Sequence, residues 1–221
     1  MPLRPYLVIF YLLGLPLSSF AGSTETPSFV IPFDDFDETA LQAEVSKQAL
    51  AFLGTLHEHW GKNPSAIRAA VTGTIRDDQQ GKLIYLRNVG DHGALEGYEF
   101  RQDILVRGQY LLLQRPLNRL NEFIDYYQRV KQTVTEQYGQ PSLDHIVWEN
   151  DLYQPVPDYW GVAVMMGQLR YQAKWETEEG TITLDLTGDH HSRLAMNYTS
   201  RRFGQPERIA LALERAGQPL E

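Results

Sequence analysis

The chain has 221 residues, with 20 basic and 28 acidic side chains, six histidines and no cysteine. Without cysteine there is no disulfide framework, thiolate metal site, cysteine nucleophile or lipidated cysteine. The net charge of −8 argues against a nucleic-acid binder, whose affinity comes from Lys and Arg on phosphates. A hydrophobic content of 43% is that of a globular chain, and the length suits one domain of ordinary size or two small ones.

Residues 1–21 read as a signal peptide. Arg4 supplies the positive start, Tyr6 to Leu17 is an almost unbroken apolar run too short to span a bilayer, and Ser19-Phe20-Ala21 offers small residues to a signal peptidase. Cleavage is expected after Ala21. No later run approaches 18 apolar residues, so no integral membrane segment is expected after cleavage. With no cysteine for a lipid anchor, the protein is expected to be released into the periplasm or secreted.

Residues 22–36 carry Pro27 and Pro32 without periodicity and read as an extended lead-in. Apolar residues at Leu41, Val45, Ala49, Phe52, Leu53, Leu56 and Trp60 then form one helical stripe, with Asp37 to cap its start and Gly61 to end it. Asn63-Pro64 predicts the N-terminus of a short second helix. Strands are predicted at Lys82–Val89, Leu95–Arg101 and Ile104–Gln114, the first two joined by a Gly-Asp-His-Gly turn. Tyr98, Phe100, Ile104, Val106, Tyr110 and Leu112 fall on one alternating set.

A long helix is predicted over Asn118–Tyr138, striped by Leu120, Phe123, Ile124, Tyr127, Val130, Val134 and Tyr138 and stopped by Gly139 and Pro141. A strand at Leu143–Trp148 follows, then a loop with Pro155 and Pro157. Asp158 is the expected cap of a short helix over Trp160–Met165. Strands at Leu169–Glu176, Thr181–Thr187 and Arg193–Thr199 close the single domain at 37–200, and 201–221 is a tail with a helical option at 206–215. Short turns between consecutive strands predict antiparallel pairing. The expected architecture is α+β, a largely antiparallel twisted sheet with two long helices packed on one face. The stops Trp60-Gly61…Pro64 and Tyr138-Gly139…Pro141 fit a duplicated helix–sheet unit, and they fit equally the local chemistry by which helices end.

The ordered set of Trp60-Gly61 with Ile67-Arg68, Tyr98-Glu99-Phe100, Tyr138-Gly139-Gln140-Pro141, Trp160-Gly161…Gly167 and Trp175…Ile182…Leu184 resembles a type of uncharacterised exported bacterial α+β protein. That resemblance implies an extracytoplasmic fold and no assigned activity. The first half also looks like the small helix-then-sheet modules of outer-membrane assembly lipoproteins and of secreted β-lactamase inhibitors, which are protein-binding folds. The absent lipid-anchor cysteine and the second helix–sheet half depart from those modules.

The histidines are the first candidates for chemistry. His57-Glu58-His59 lacks the spacing of four by which a helix presents two imidazoles to one zinc ion. Asp189-His190-His191 and Asp91-His92 lie in predicted turns, so His190, His191 and His92 are the weak metal candidates, with turn formation as the plainer reading. There is no Gly-x-Ser-x-Gly elbow, P-loop or Gly-x-Gly-x-x-Gly, so no catalytic residue is assigned and no cofactor is expected. The acid pairs Asp34-Asp35 and Asp77-Asp78 sit in loop-like stretches. The remaining signal is aromatic: Tyr153, Tyr159 and Trp160 lie within eight residues of a Pro-bounded loop. They suit contact with a peptide, a glycan or a protein partner, an envelope protein or peptide above all, with Trp160 plugging the sheet as its alternative role. Two functions follow, a non-catalytic binding or envelope-assembly module and, as the alternative, a hydrolase of cell-wall or extracellular material using His and Asp groups in sheet turns.

Overall fold

A computed structural model describes residues 38–79, 81–90, 92–113 and 121–204. The expected signal peptide, the lead-in with Asp34-Asp35, the Asp37 cap, Asp91 of the first turn, the first residues of the predicted Asn118–Tyr138 helix and the optional tail helix lie outside these residues. Four α-helices, α1 (Glu38–His59), α2 (Pro64–Ala70), α3 (Glu122–Tyr138) and α4 (Trp160–Met165), accompany eight strands. These are β1 (Thr74–Gln79), β2 (Lys82–Val89), β3 (His92–Arg101), β4 (Ile104–Leu112), β5 (Leu143–Trp148), β6 (Leu169–Glu176), β7 (Gly180–Gly188) and β8 (Ser192–Ser200). All eight form one antiparallel sheet in the order β1-β2-β3-β4-β8-β7-β6-β5. The fold is α+β. A helix precedes a four-strand meander in each half, and the halves meet last strand to last strand at β4–β8.

The core lies between one sheet face and the helices. The α1 stripe buries Leu41, Val45, Ala49, Phe52, Leu53 and Leu56, and α3 buries Phe123, Ile124, Tyr127, Val130 and Val134. Each large apolar side chain so buried contributes about 1.5–3 kcal/mol. Sheet residues at alternate positions complete the core, among them Tyr85, Tyr98, Tyr110, Leu169, Tyr171, Trp175, Ile182 and Leu184. The other sheet face carries polar ladders: Arg107 and Gln109 both donate to Asn197 Oδ1, at 2.8 and 2.9 Å, and Asn197 donates to Thr183 Oγ1.

Four expectations need correction. Strand β1 stands where the sequence predicts loop, with Ile75 its one apolar residue among Arg76, Asp77 and Asp78. It forms because an exposed edge strand needs only the hydrogen bonds of β2, and a bulge lies between Ile75 and Asp77. Strand β3 begins at His92 rather than Leu95, so His92 is not a turn residue. The alternation does not run unbroken through β4: a bulge at Val106 pairs Phe100 with Leu105, so Leu105 enters the core and Ile104 is half-buried, while Val106 is buried as expected. Asp158 does not cap α4. It sits within a 3₁₀ turn, Pro157–Tyr159, and the Gly161 N–H instead donates to Asn121 Oδ1 at 2.8 Å, 40 residues away in sequence.

Candidate binding surface

The β5–α4 connection crosses from the sheet edge to the helix layer, and it is tied down throughout. Glu149 N–H donates to Gln168 O at 2.8 Å, Leu152 N–H to Asn150 Oδ1 at 3.1 Å, Gln154 N–H to Asp151 O and Val156 N–H to Tyr153 O. Asn121, at the start of α3, donates through Nδ2 to Pro157 O at 3.1 Å while accepting from Gly161, which clamps the loop to the long helix. Pro155 and Pro157 reduce the freedom the loop would otherwise lose on ordering.

The predicted aromatics divide into two groups. Tyr153 and Tyr159 stack with ring centroids 6.4 Å apart and planes 25° from parallel; Tyr153 is half-buried against the core and Tyr159 is 48% exposed. Trp160 turns inward. Its ring meets Trp148 edge-on at 5.7 Å and its indole N–H donates to Gln154 O, so it anchors the loop to β5 rather than facing a partner.

Sequence reasoning missed the larger part of this surface. Six large apolar side chains are exposed among the described residues, and five of them (Ile146, Leu152, Val156, Tyr159 and Met166) belong to β5 and the connection through α4. Single exposed apolar residues are ordinary, whereas a gathering on one 21-residue stretch is the mark of a contact surface. The surface also has a sign. Residues 149–169 contain Glu149, Asp151 and Asp158 and no Lys, Arg or His. Glu149 is neutralised by Arg170 of β6.

The three histidines are not brought together. His190 and Asp189 are exposed and 3.8 Å apart in the β7–β8 turn, and His191 beside them is exposed as well. His92 is buried under α3. Its Nδ1 bonds the Leu113 carbonyl at 3.2 Å, so Nδ1 carries a hydrogen; its Nε2 lies 3.0 Å from the Tyr126 hydroxyl, itself 2.8 Å from Glu122 Oε1. His92, Tyr126 and Glu122 are all nearly inaccessible to solvent. Among the described residues no three His, Cys, Asp or Glu side chains are placed to hold a metal ion.

A depression of 410 Å³ between α2 and the β1–β2 hairpin is lined by Asn63, Arg68, Asp78, Lys82, Phe100 and Asp103. Its guanidinium is already engaged: Arg68 holds Asp78 through both oxygens at 2.7–2.9 Å, and that bond raises the Arg68 pKa. The Asp77-Asp78 pair is therefore not a catalytic dyad, because Asp78 is spent on Arg68 and Asp77 points to the opposite sheet face beside Ile84. No helix among the described residues is long and apolar enough to cross a membrane.

Comparison with protein-family models, with curated proteins and with solved structures gave no match. The surface must therefore be interpreted from its own residues.

Proposed function

We propose that this protein is a non-catalytic binding module of the extracytoplasmic space, presenting the β5–α4 surface to a protein or peptide component of the cell envelope. One observation carries the reading: five of the six large apolar side chains exposed among the described residues stand on a single hydrogen-bonded segment, where Tyr153 stacks on Tyr159. Rigid aromatic and aliphatic side chains bind at small entropic cost, and those at the centre of such a patch supply most of the affinity. The exported location rests on the apolar run and small-residue exit of residues 1–21. A hydrolytic role would need a histidine beside a carboxylate and open to substrate. His92 has the carboxylate without the access, and His190, although beside Asp189, stands with His191 on a fully exposed turn and not in the concave pocket that hydrolysis needs. An array of immobilised peptides probed with the folded protein tests the proposal. Binding that drops at least tenfold in Leu152→Asp and in Tyr159→Asp, with unchanged thermal melts, supports it. Binding indifferent to both substitutions overturns it.

A further inference from the structure

The two edges of the sheet are built differently. Edge strand β1 is interrupted by a bulge and carries Arg76, Asp77 and Asp78, the usual means by which an edge is kept from pairing with another chain. Edge strand β5 has none of these. Leu143 to Trp148 pairs with β6 in unbroken register, contains no proline, lysine or bulge, and has one carboxylate, Asp144, already held by Lys131 of α3 at 2.9 Å.

The free side of β5 can be assigned residue by residue. Thr177 N–H donates to Gly180 O in the same register by which β6 pairs β7, so Trp175, Ala173 and Tyr171 direct their backbone groups to β7. The even-numbered β6 residues therefore serve β5, as the Glu149 N–H to Gln168 O bond independently requires. Leu143, His145 and Val147 are turned inward, and the N–H and C=O groups of Asp144, Ile146 and Trp148 point away from the sheet. The side chains of these same three residues lie on the helix side of the sheet, opposite Ala173, Tyr171 and Leu169. Beside Asp144, α3 leaves a largely polar groove of 450 Å³ lined by Lys131, Thr135, Glu136, Gln140 and Pro141 among others. Space at the Asp144 end, the side chains of Ile146 and Trp148 and outward-facing backbone groups therefore follow one another along one edge.

We infer that β5 receives an extended segment of a partner protein as a ninth antiparallel strand, with apolar residues at alternate positions on the helix side and basic residues where the strand runs past Trp148 to the loop. The inference rests on the binding role proposed above and names the partner's chemistry. Antiparallel addition continues the pairing of all seven neighbouring strand pairs. Main-chain bonds would supply affinity and alternate side chains specificity, the general mode of strand addition. With Glu149 neutralised by Arg170, the occupant's charge follows from Asp151 and Asp158, which stand in residues 150–169 with no base among them. A second copy of this chain, itself carrying a net charge of −8 and the same acidic loop, would bring like charges together.

The pairing rule sets a sharp test. Cross-strand partners share a face, so the residues of the added strand that hydrogen-bond β5 are those whose side chains lie beside Ile146 and Trp148, namely its apolar set. The probe is an acetylated, amidated peptide of two lysines followed by four Val-Thr repeats, titrated into the intact protein by fluorescence anisotropy. Saturable binding is expected, weakened at least tenfold when the two lysines become glutamates. N-methylation of the valine nitrogens should abolish binding, and N-methylation of the threonine nitrogens should leave it within about threefold. These changes are made in the peptide, so the protein's folding is not at issue.

Failure of the parent peptide to bind, or equal binding of both methylated forms, overturns strand addition. If equal binding is still lost in Leu152→Asp and Tyr159→Asp, the loop reading survives without it; if the loop variants also bind normally, both fail. Equal binding of lysine and glutamate forms overturns the charge assignment. A sedimentation experiment showing a dimer that excludes the peptide and is broken by Ile146→Pro overturns the inference in favour of a second copy.

Discussion

Replacing Tyr126 by Phe removes one oxygen from the buried contact between β3 and α3. That hydroxyl lies 3.0 Å from His92 Nε2 and 2.8 Å from Glu122 Oε1, and the imidazole and carboxylate are themselves 3.6 Å apart. The ring, fully buried and edge-on to His92 and Phe123, is retained in the variant, so no cavity larger than the oxygen is created. The cost is that of leaving buried polar groups short of a partner, about 1–3 kcal/mol. Taking about 2 kcal/mol, a domain of this size should melt about 4–8 °C lower. Circular dichroism melts and urea titrations of the wild type, Tyr126→Phe, His92→Phe and the double variant measure it. A coupling of at least about 0.5 kcal/mol between the two sites is expected, because each removes the other's partner. A melt shift below about 1 °C for Tyr126→Phe, or strict additivity in the double variant, would refute the view that His92 serves the fold.

Other predictions are independent of that network. Gly188→Ala should cost more than about 3 kcal/mol, because its Cβ would strike the Val164 carbonyl oxygen and lie 2.8 Å from Met165 Cα, backbone atoms that cannot turn aside. Gly139→Ala meets nothing within 4 Å and costs only the strain of its backbone, φ +83° with ψ −173°, about 1–3 kcal/mol; equal melts for the two alanine variants would contradict the clash. Asn63→Ala removes the Oδ1 that accepts the Ala66 N–H at 3.0 Å and should destabilise by about 1 kcal/mol, read in the same urea titrations. Burial raises the phenol pKa of Tyr98, Tyr110 and Tyr127, and raises that of Tyr171 to about 12. A folded-state value above the unfolded value of about 10 favours the neutral phenol in the fold, so this stability is complete below about pH 10 and lost as the pH climbs through 12. Tyrosinate absorbance from these residues should therefore appear together with loss of near-ultraviolet dichroism in an alkaline titration; ionisation of all tyrosines before unfolding would refute it.

The elements that could be read from sequence were those with their own periodicity. The α1 and α3 stripes, the stops at Gly61 and Gly139, and the strands β2 and β5–β8 follow from which positions must be apolar and where φ must be positive. Strand β1 could not be read that way, because an edge strand with a polar sequence is held by its neighbour's hydrogen bonds and not by a buried face. The start of β3 is not legible in sequence, because His92 looks polar there and becomes a core residue only when Tyr126 and Glu122 arrive from a helix 30 residues later.

The candidate surface divides in the same way. Tyr153, Tyr159 and the two prolines stand out in sequence as an aromatic loop, and the acidic, base-free composition of 149–169 can be counted there. That Trp160 faces inward is a matter of packing, decided by Trp148 and Gln154. That Ile146, Leu152, Val156 and Met166 remain exposed is decided by strand order. Strand β5 ends the sheet, α3 packs over β7 and β8, and so a strand with an ordinary apolar sequence keeps one side uncovered. Sequence by itself determined the helices, most strands, the α+β class and the sign of the loop's charge, because these depend on local spacing and composition. Which strand became an open edge, and which histidine became core, was decided by contacts between residues far apart in the chain, and local spacing carries no record of those.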